Sequence, residues 1–194
     1  FNMLSGYSTP PNLFKIEYSP ITMRNYLVQL IDNEIENARQ SKAAHIIAKM
    51  NSLEDKEIIS KLYQASQSGV KIDLIVRGIC CLRPGVPGLS DHISVRSIVG
   101  RFLEHARIYY FNAGGLKKYF LSSADCMTRN FDRRVEIFFP IESEYICNQI
   151  RDILEINLKD NVKARIMKSD GTYQSMKNPK NEPIINTHSW LMEN

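Results

Sequence analysis

Between residues 14 and 78 the chain alternates strand-like and helix-like segments in the order β-α-β-α-β. "LFKIEYSP" reads as a short strand stopped by Pro20. "ITMRNYLVQLIDNEIENARQ" spaces Met23, Tyr26, Leu27, Leu30, Ile31 and Ile35 along one helical stripe, with Thr22 at its start as a cap. "HIIAKM" is a short buried strand. "DKEIISKLYQASQSG" is a second amphipathic helix with Ile58, Ile59 and Leu62 inward and Gly69 as its stop, and "VKIDLIVRG" is a further strand. Parallel strands need crossover connections, so this order predicts an α/β domain: a mixed, mostly parallel sheet flanked by helices. In such sheets functional groups collect beyond the carboxyl ends of strands. Lys49 with Asn51, and Arg77, fall there.

A glycine- and proline-bearing loop, "GICCLRPGVPGLSDHIS", follows, of a length that is often functional. Four strand candidates come next, "VRSIVG", "ARIYYF", "KKYFLSSA" and "RRVEIFFPI", with "NAGG" as the turn between the second and third. "ESEYICNQIRDILEINLKD" is a third helix with Ile146, Ile150, Ile153, Leu154 and Leu158 as its stripe, and "VKARIM" is a last strand. These boundaries give a linker over residues 1–13, one domain over 14–168 and a polar, flexible tail over 169–194. The chain begins with Phe1, as a piece of a longer protein would.

The net charge of +4 is too mild to name a partner, but its distribution is uneven. Residues 1–70 are neutral, residues 71–134 carry a net +6 and residues 135–194 a net −2. A local field of this sign favours an anionic ligand such as phosphate or a nucleotide, or marks a solvated basic face. The four cysteines, Cys80, Cys81, Cys126 and Cys147, form no Cys-x-x-Cys pair and read as reduced thiols of a cytoplasmic protein. No segment is long and apolar enough to span a membrane. No glycine-rich phosphate loop, dinucleotide fingerprint or zinc-ligand spacing occurs.

Within the basic third, "RFLEHARIYYF" places His105 and Arg107 two apart. In an extended chain they would share a face with Tyr109, opposite Ala106, Ile108 and Tyr110. "LSSAD" sets Ser122, Ser123 and Asp125 at the end of another strand, and "NFDRRVE" follows with Asn130, Asp132, Arg133, Arg134 and Glu136. Asp132 and Glu136 can equally be surface partners of Arg133 and Arg134. Tyr109, Tyr110 and Phe111 fit core packing better than base stacking. His45, His92 and His188 have no recognisable partners in the sequence. The order His-x-basic, small-Ser-Ala-Asp, then an acid resembles a degenerate half-site of the phospholipase D superfamily, with Arg in place of the usual Lys. There two half-sites face each other across a cleft and a histidine attacks phosphorus, with cations and hydroxyls holding the phosphoryl oxygens.

"VKIDLIVRGICCLRPGVPGLSDHISVRSIVGRFLEHARIYYF", with "IIAKMNSL", "LSSADCMTRNFDRRVEIFFP" and "NVKAR" in the same order, resembles the second C-terminal, phospholipase D-like domain of bacterial polyphosphate kinases. The resemblance implies a phospholipase D-like sandwich. It also implies a half-site in the reversible transfer of the ATP γ-phosphate to inorganic polyphosphate, through a phosphohistidine outside this chain. Mg2+ ligands are likewise implied elsewhere, with no metal site here. The partners implied are ATP or ADP and polyphosphate, not nucleic acid, in a full-length enzyme that forms homo-oligomers. The arginine of "VRG" that binds ATP in the family matches Arg77, and the essential histidine of "LEH" matches His105. Lys49, Arg107 and Arg134 are further candidate phosphate contacts. Cys126 stands where the family usually carries tryptophan. The isolated chain is expected to be inactive. Two alternatives stay open: a non-catalytic polyphosphate- or nucleotide-binding module, and a phospholipase D-like phosphodiesterase.

Overall fold

The computed structural model describes residues 14–176 and 183–193, so the expected linker over 1–13 lies outside the described residues. In chain order the elements are β1 (Glu17–Tyr18), α1 (Met23–Arg39), β2 (His45–Met50), α2 (Lys56–Gln67), β3 (Lys71–Val76), β4 (Ile93–Ile98) and β5 (Arg107–Phe111). Then come β6 (Lys118–Ser122), α3 (Thr128–Arg133), β7 (Ile137–Ile141), α4 (Glu144–Lys159), β8 (Ala164–Met167), β9 (Tyr173–Ser175) and α5 (Thr187–Glu193). The strands form one sheet in the order β1-β7-β6-β5-β2-β3-β4-β8-β9.

The helix stripes bury as their spacing requires. Met23, Leu27, Leu30, Ile31 and Ile35 of α1 and Ile58, Ile59 and Leu62 of α2 close over Ile46, Ala48, Met50, Ile72 and Leu74 to form the larger core. The two-residue period of the strands sends Ile47, Ile75, Ile108 and Tyr110 to the other face, where Ile150 and Leu154 of α4 cover them. Each fully buried aliphatic side chain contributes roughly 1.5–3 kcal/mol. Tyr109, Tyr110 and Phe111 are core residues at 3%, 8% and 1% exposure, which settles them as packing groups rather than stacking platforms. At the far end of the α4 stripe, Ile146 stays 42% exposed.

Three expectations need correction. The sheet is mixed, but only β2–β3 and β3–β4 are parallel, and the other pairings are antiparallel. The adjacent parallel pair joined by a helix, β2–α2–β3, lies in the amino-terminal half, whereas the turn over 112–117 folds β5 and β6 into a hairpin. Thr22 occupies the cap position just ahead of α1, but its side chain bonds no helix amide. Its hydroxyl oxygen instead accepts from the Tyr18 amide at 3.1 Å. The tail is not simply frayed: Tyr173 pairs with Met167 across β8–β9, and α5 docks on the end of α4. The anchor is polar, which is why no apolar stripe announced it. Asp160 accepts from the amides of Val162, Lys163 and Ala164 and, at 2.8 Å, from that of Thr187.

Candidate functional site

The sheet order determines where the basic third of the chain converges. β4 lies beyond β3, β5 lies on the opposite side of β2, and β5 runs antiparallel to β2. The connection over 99–106 must therefore cross the carboxyl ends of β3 and β2 to reach β5. It carries Glu104 and His105 over the strand ends that bear Asn51 and Arg77. β6 ends at the same edge with Ser122, and Asp125 follows it. This is a topological switch point, the place where open α/β sheets bind ligands.

Asp125 organises the edge. It is buried, and its Oδ1 accepts from the Asn51 amide at 2.7 Å and the Ser52 amide at 3.3 Å. Arg107 donates to it twice, from Nε to Oδ1 at 3.2 Å and from Nη2 to Oδ2 at 2.9 Å. Burial pushes the Asp125 carboxyl up, but the Arg107 guanidinium and the two amides outweigh it and hold the group below the ordinary carboxylate range. The same bonds raise the pKa of Arg107 against a smaller opposing effect of burial. Arg107 thus opens β5 with its charge matched and its fork fixed.

Arg77 is held by one nitrogen. Its Nε donates to Asn51 Oδ1 at 2.9 Å, and the Ser97 hydroxyl donates to its backbone carbonyl at 3.0 Å. Among the described residues no acceptor meets its terminal nitrogens, which leaves both of them to donate to a ligand. Gly78 explains the third residue of "VRG": a Cβ there would lie 3.0 Å from the Asn51 carbonyl oxygen, which accepts from the Gly78 amide at 2.8 Å.

His105 lies two residues ahead of β5, in an irregular and exposed segment, and has no side-chain partner among the described residues. The shared strand face therefore begins at Arg107 and continues with Tyr109. Lys49 behaves differently from a free strand-end cation. It is buried, and its Nζ lies 2.5 Å from Glu104 Oε2. Arg134 is exposed at the edge, 3.7 Å from Glu136.

The hydroxyls of "LSSAD" are already engaged. Ser122 donates to the Ile137 carbonyl at 3.0 Å, and Ser123 donates to Glu136 in a short bond while accepting from the Ile137 amide. Asp132 pairs at 2.7 Å with Arg24, not with its sequence neighbours. Asn130 is buried and donates to the Asp125 carbonyl. Cys126 is also buried, with its Sγ 3.3 Å from the Tyr109 hydroxyl, and burial pushes its thiol up to about 12. It serves packing rather than chemistry. All four cysteines are free thiols.

Two residues at the edge went unread in the sequence. Glu104 pairs with Lys49, and His188, from the supposed tail, comes within 2.7 Å of the same carboxylate. His45 also has a partner, Asp73, at 2.8 Å. Among the described residues no group of three or more His, Cys, Asp or Glu side chains could hold a metal ion. No described helix is long and apolar enough to cross a membrane.

Comparison with known proteins agrees with this geometry. The family model for polyphosphate kinase C-terminal domain 2 matches residues 16–187. A polyphosphate kinase of Halalkalibacterium halodurans is 55% identical over 185 residues, covering 95% of this chain and 26% of that protein. One from Pseudomonas aeruginosa is 48% identical over 193 residues, covering 100% of this chain and 28% of its own length. The chain thus spans about a quarter of the curated relatives it matches. The crystal structure of polyphosphate kinase from Porphyromonas gingivalis superposes with a TM-score of 0.94 at 38% identity, over 99% of this chain and 29% of that one. A phospholipase D family member from Salmonella typhimurium shares the fold, with a TM-score of 0.59 at 13% identity, over 80% of this chain and 97% of that one. The phospholipase D-like sheet, the edge built from "VRG", "LEHAR" and "SSAD", and these matches together show that the chain belongs to the polyphosphate kinase family, as its C-terminal domain 2.

Proposed function

We propose that this domain supplies one half of the phosphoryl-transfer site of a polyphosphate kinase, acting on ATP and inorganic polyphosphate, with the phosphorylated histidine on another part of the protein. The observation that carries this reading is the meeting of Arg77 and the "LEHAR" segment at one switch point, with the terminal nitrogens of Arg77 and the ring of His105 uncommitted. Arg77 presents a planar fork for phosphate oxygens, anchored from behind by Asn51. His105 faces the transferring phosphoryl group and holds or donates a proton there. Arg134 adds an exposed charge. Phosphoryl transfer depends mainly on positioning and on neutralising charge, so a basic edge of this kind suits it.

Lys49 and Arg107 enter this reading as fixed charges behind the edge, because Glu104 and Asp125 already pair them. The same pairing means that the carboxylates present do not fit a divalent cation, and magnesium is assigned to residues outside this chain. A cavity of about 270 Å³ lined by His45, Tyr110, Tyr119 and Arg151 lies at the other end of the sheet and touches none of the candidate residues. On this reading the isolated chain transfers no phosphate.

The test is calorimetric binding of ATP and polyphosphate to the chain and to its Arg77→Ala and His105→Ala variants. Loss of a charge-assisted contact weakens binding by roughly 1.5–3 kcal/mol, about ten- to a hundred-fold. Binding indifferent to both substitutions defeats the reading. Cleavage of a chromogenic phosphodiester by the chain alone would instead favour a hydrolase.

A further inference from the structure

The connection over 99–106 has little to hold it in place. It contains no regular element, and among the described residues none of the backbone hydrogen bonds outside the helices and strands involves it. It exposes Val99, Phe102 and Leu103 to solvent at 63%, 46% and 70%. A segment of this kind is drawn from the low-stability end of a fold unless side chains tie it down.

The ties converge on Glu104, the residue before His105. On one side Lys49, rising from β2, sets its ammonium 2.5 Å from Oε2. On the other side His188, from α5, sets Nε2 2.7 Å from Oε1. That second contact is electrostatic: both atoms are buried and share no hydrogen bond. His188 grips the connection at two further points. Its Nδ1 accepts from the Phe102 amide at 3.2 Å, and its ring lies 5.7 Å from that of Phe102. Because Nδ1 accepts, a ring hydrogen resides on Nε2, the nitrogen that lies 2.7 Å from Glu104 Oε1.

The fit is close. A Cβ on Gly100 would come within 2.4 Å of His188 Nδ1, so the backbone reaches the ring only because residue 100 is glycine. His188 is itself anchored. Its neighbour Thr187 is tied to Asp160 at 2.8 Å, and Asn186 caps the start of α5 by accepting from the His188 amide at 3.1 Å. A continuous set of contacts thus runs from the end of α4 through α5 to the residue beside His105.

We propose that Lys49, Glu104 and His188 are positioning residues for His105, through which the carboxyl-terminal helix clamps the β4–β5 connection onto the site edge. This rests on the reading of His105 as a phosphate-facing group. It gives α5 a role at a site some eighty residues away in sequence, and it gives Lys49 a role other than contact with phosphate.

The experiment is amide hydrogen exchange on the whole chain, compared with Glu104→Gln, which keeps the shape of the side chain, and with His188→Ala. Exchange of the Phe102 amide, which donates to His188, is expected to rise about tenfold or more in Glu104→Gln as it does in His188→Ala, while β2 and β3 keep their protection. Unchanged exchange of that amide in Glu104→Gln overturns the proposal, and so does an equal rise across β2 and β3, which would mark plain destabilisation. Polyphosphate binding supplies the second readout. Glu104→Gln is expected to weaken it about tenfold in the parent chain and not at all when His105 is already Ala. An equal loss in both backgrounds overturns positioning through His105. If His105→Ala alone leaves binding unchanged, the phosphate-site reading fails and positioning at that site fails with it, while exchange still shows whether the clamp exists.

Discussion

At the amino end of β2, His45 is held by Asp73 from the neighbouring strand at 2.8 Å, Ser94 completes the carboxylate at 2.6 Å, and Lys71 stands 3.3 Å away. At the carboxyl end of the same strand, Asn51 and Lys49 face Arg77, Arg107, Glu104 and Asp125, and His105 and the fork of Arg77 stay uncommitted. Both ends mix histidine, carboxylate and cations. At the amino end His45, Asp73, Ser94 and Lys71 satisfy one another between adjacent strands. At the carboxyl end the carboxylates are fewer than the cations, and they immobilise some charges so that others can face outward. A perturbed titration or a buried pair therefore does not by itself mark a site. The surplus does.

The sharpest break in that contrast is Asp125→Ala. It strips Arg107, only 17% exposed at its side chain, of its partner and leaves the Asn51 and Ser52 amides without an acceptor. Removing one member of a buried pair costs about 3–5 kcal/mol, readable by urea denaturation. A loss under 1 kcal/mol would mean that Asp125 does not organise the edge.

At the other end, burial pushes the Asp73 carboxyl up, but His45, Ser94 and Lys71 more than reverse this and set it at about 2. A depressed carboxylate stabilises the fold above its unfolded pKa and loses that contribution as pH falls through the folded value. Asp73 is therefore expected to contribute about 2 kcal/mol above pH ~4, lost towards pH 2. Asp73→Asn should flatten that part of the acid limb and leave polyphosphate affinity unchanged. An affinity loss would show that the amino end is not a self-contained structural network. The smallest effect belongs to Lys71→Ala. Lys71 is 68% exposed, so its pair with Asp73 is worth about 0–1 kcal/mol, and the substitution should not alter phosphate binding.

Much of this was legible because it is local. The apolar stripes of α1 and α2, the stop at Gly69 and the strand "HIIAKM" follow from periodicity and turn chemistry, and they put Arg77 and Asn51 at a strand end. The "LEHAR" and "SSAD" segments carried the family resemblance. The pairings were not legible. Nothing in "THSW" says that His188 will lie against Glu104, because that contact depends on how α5 docks through Asp160. Likewise Lys49 reads as a free cation until the 99–106 connection brings Glu104 over it. β9 escaped notice because all three of its side chains are exposed, so hydrophobic pattern had nothing to report.

The most direct test of the contrast is a map of amide chemical-shift changes as polyphosphate is added to the chain. The changes are expected to concentrate at 51–52, 77–79, 101–107 and 123–125, with the amino end of β2 and the cavity beside Tyr119 and Arg151 silent. Changes centred on His45, Asp73 and that cavity would place anion binding at the wrong end of the sheet and contradict the assignment of the site.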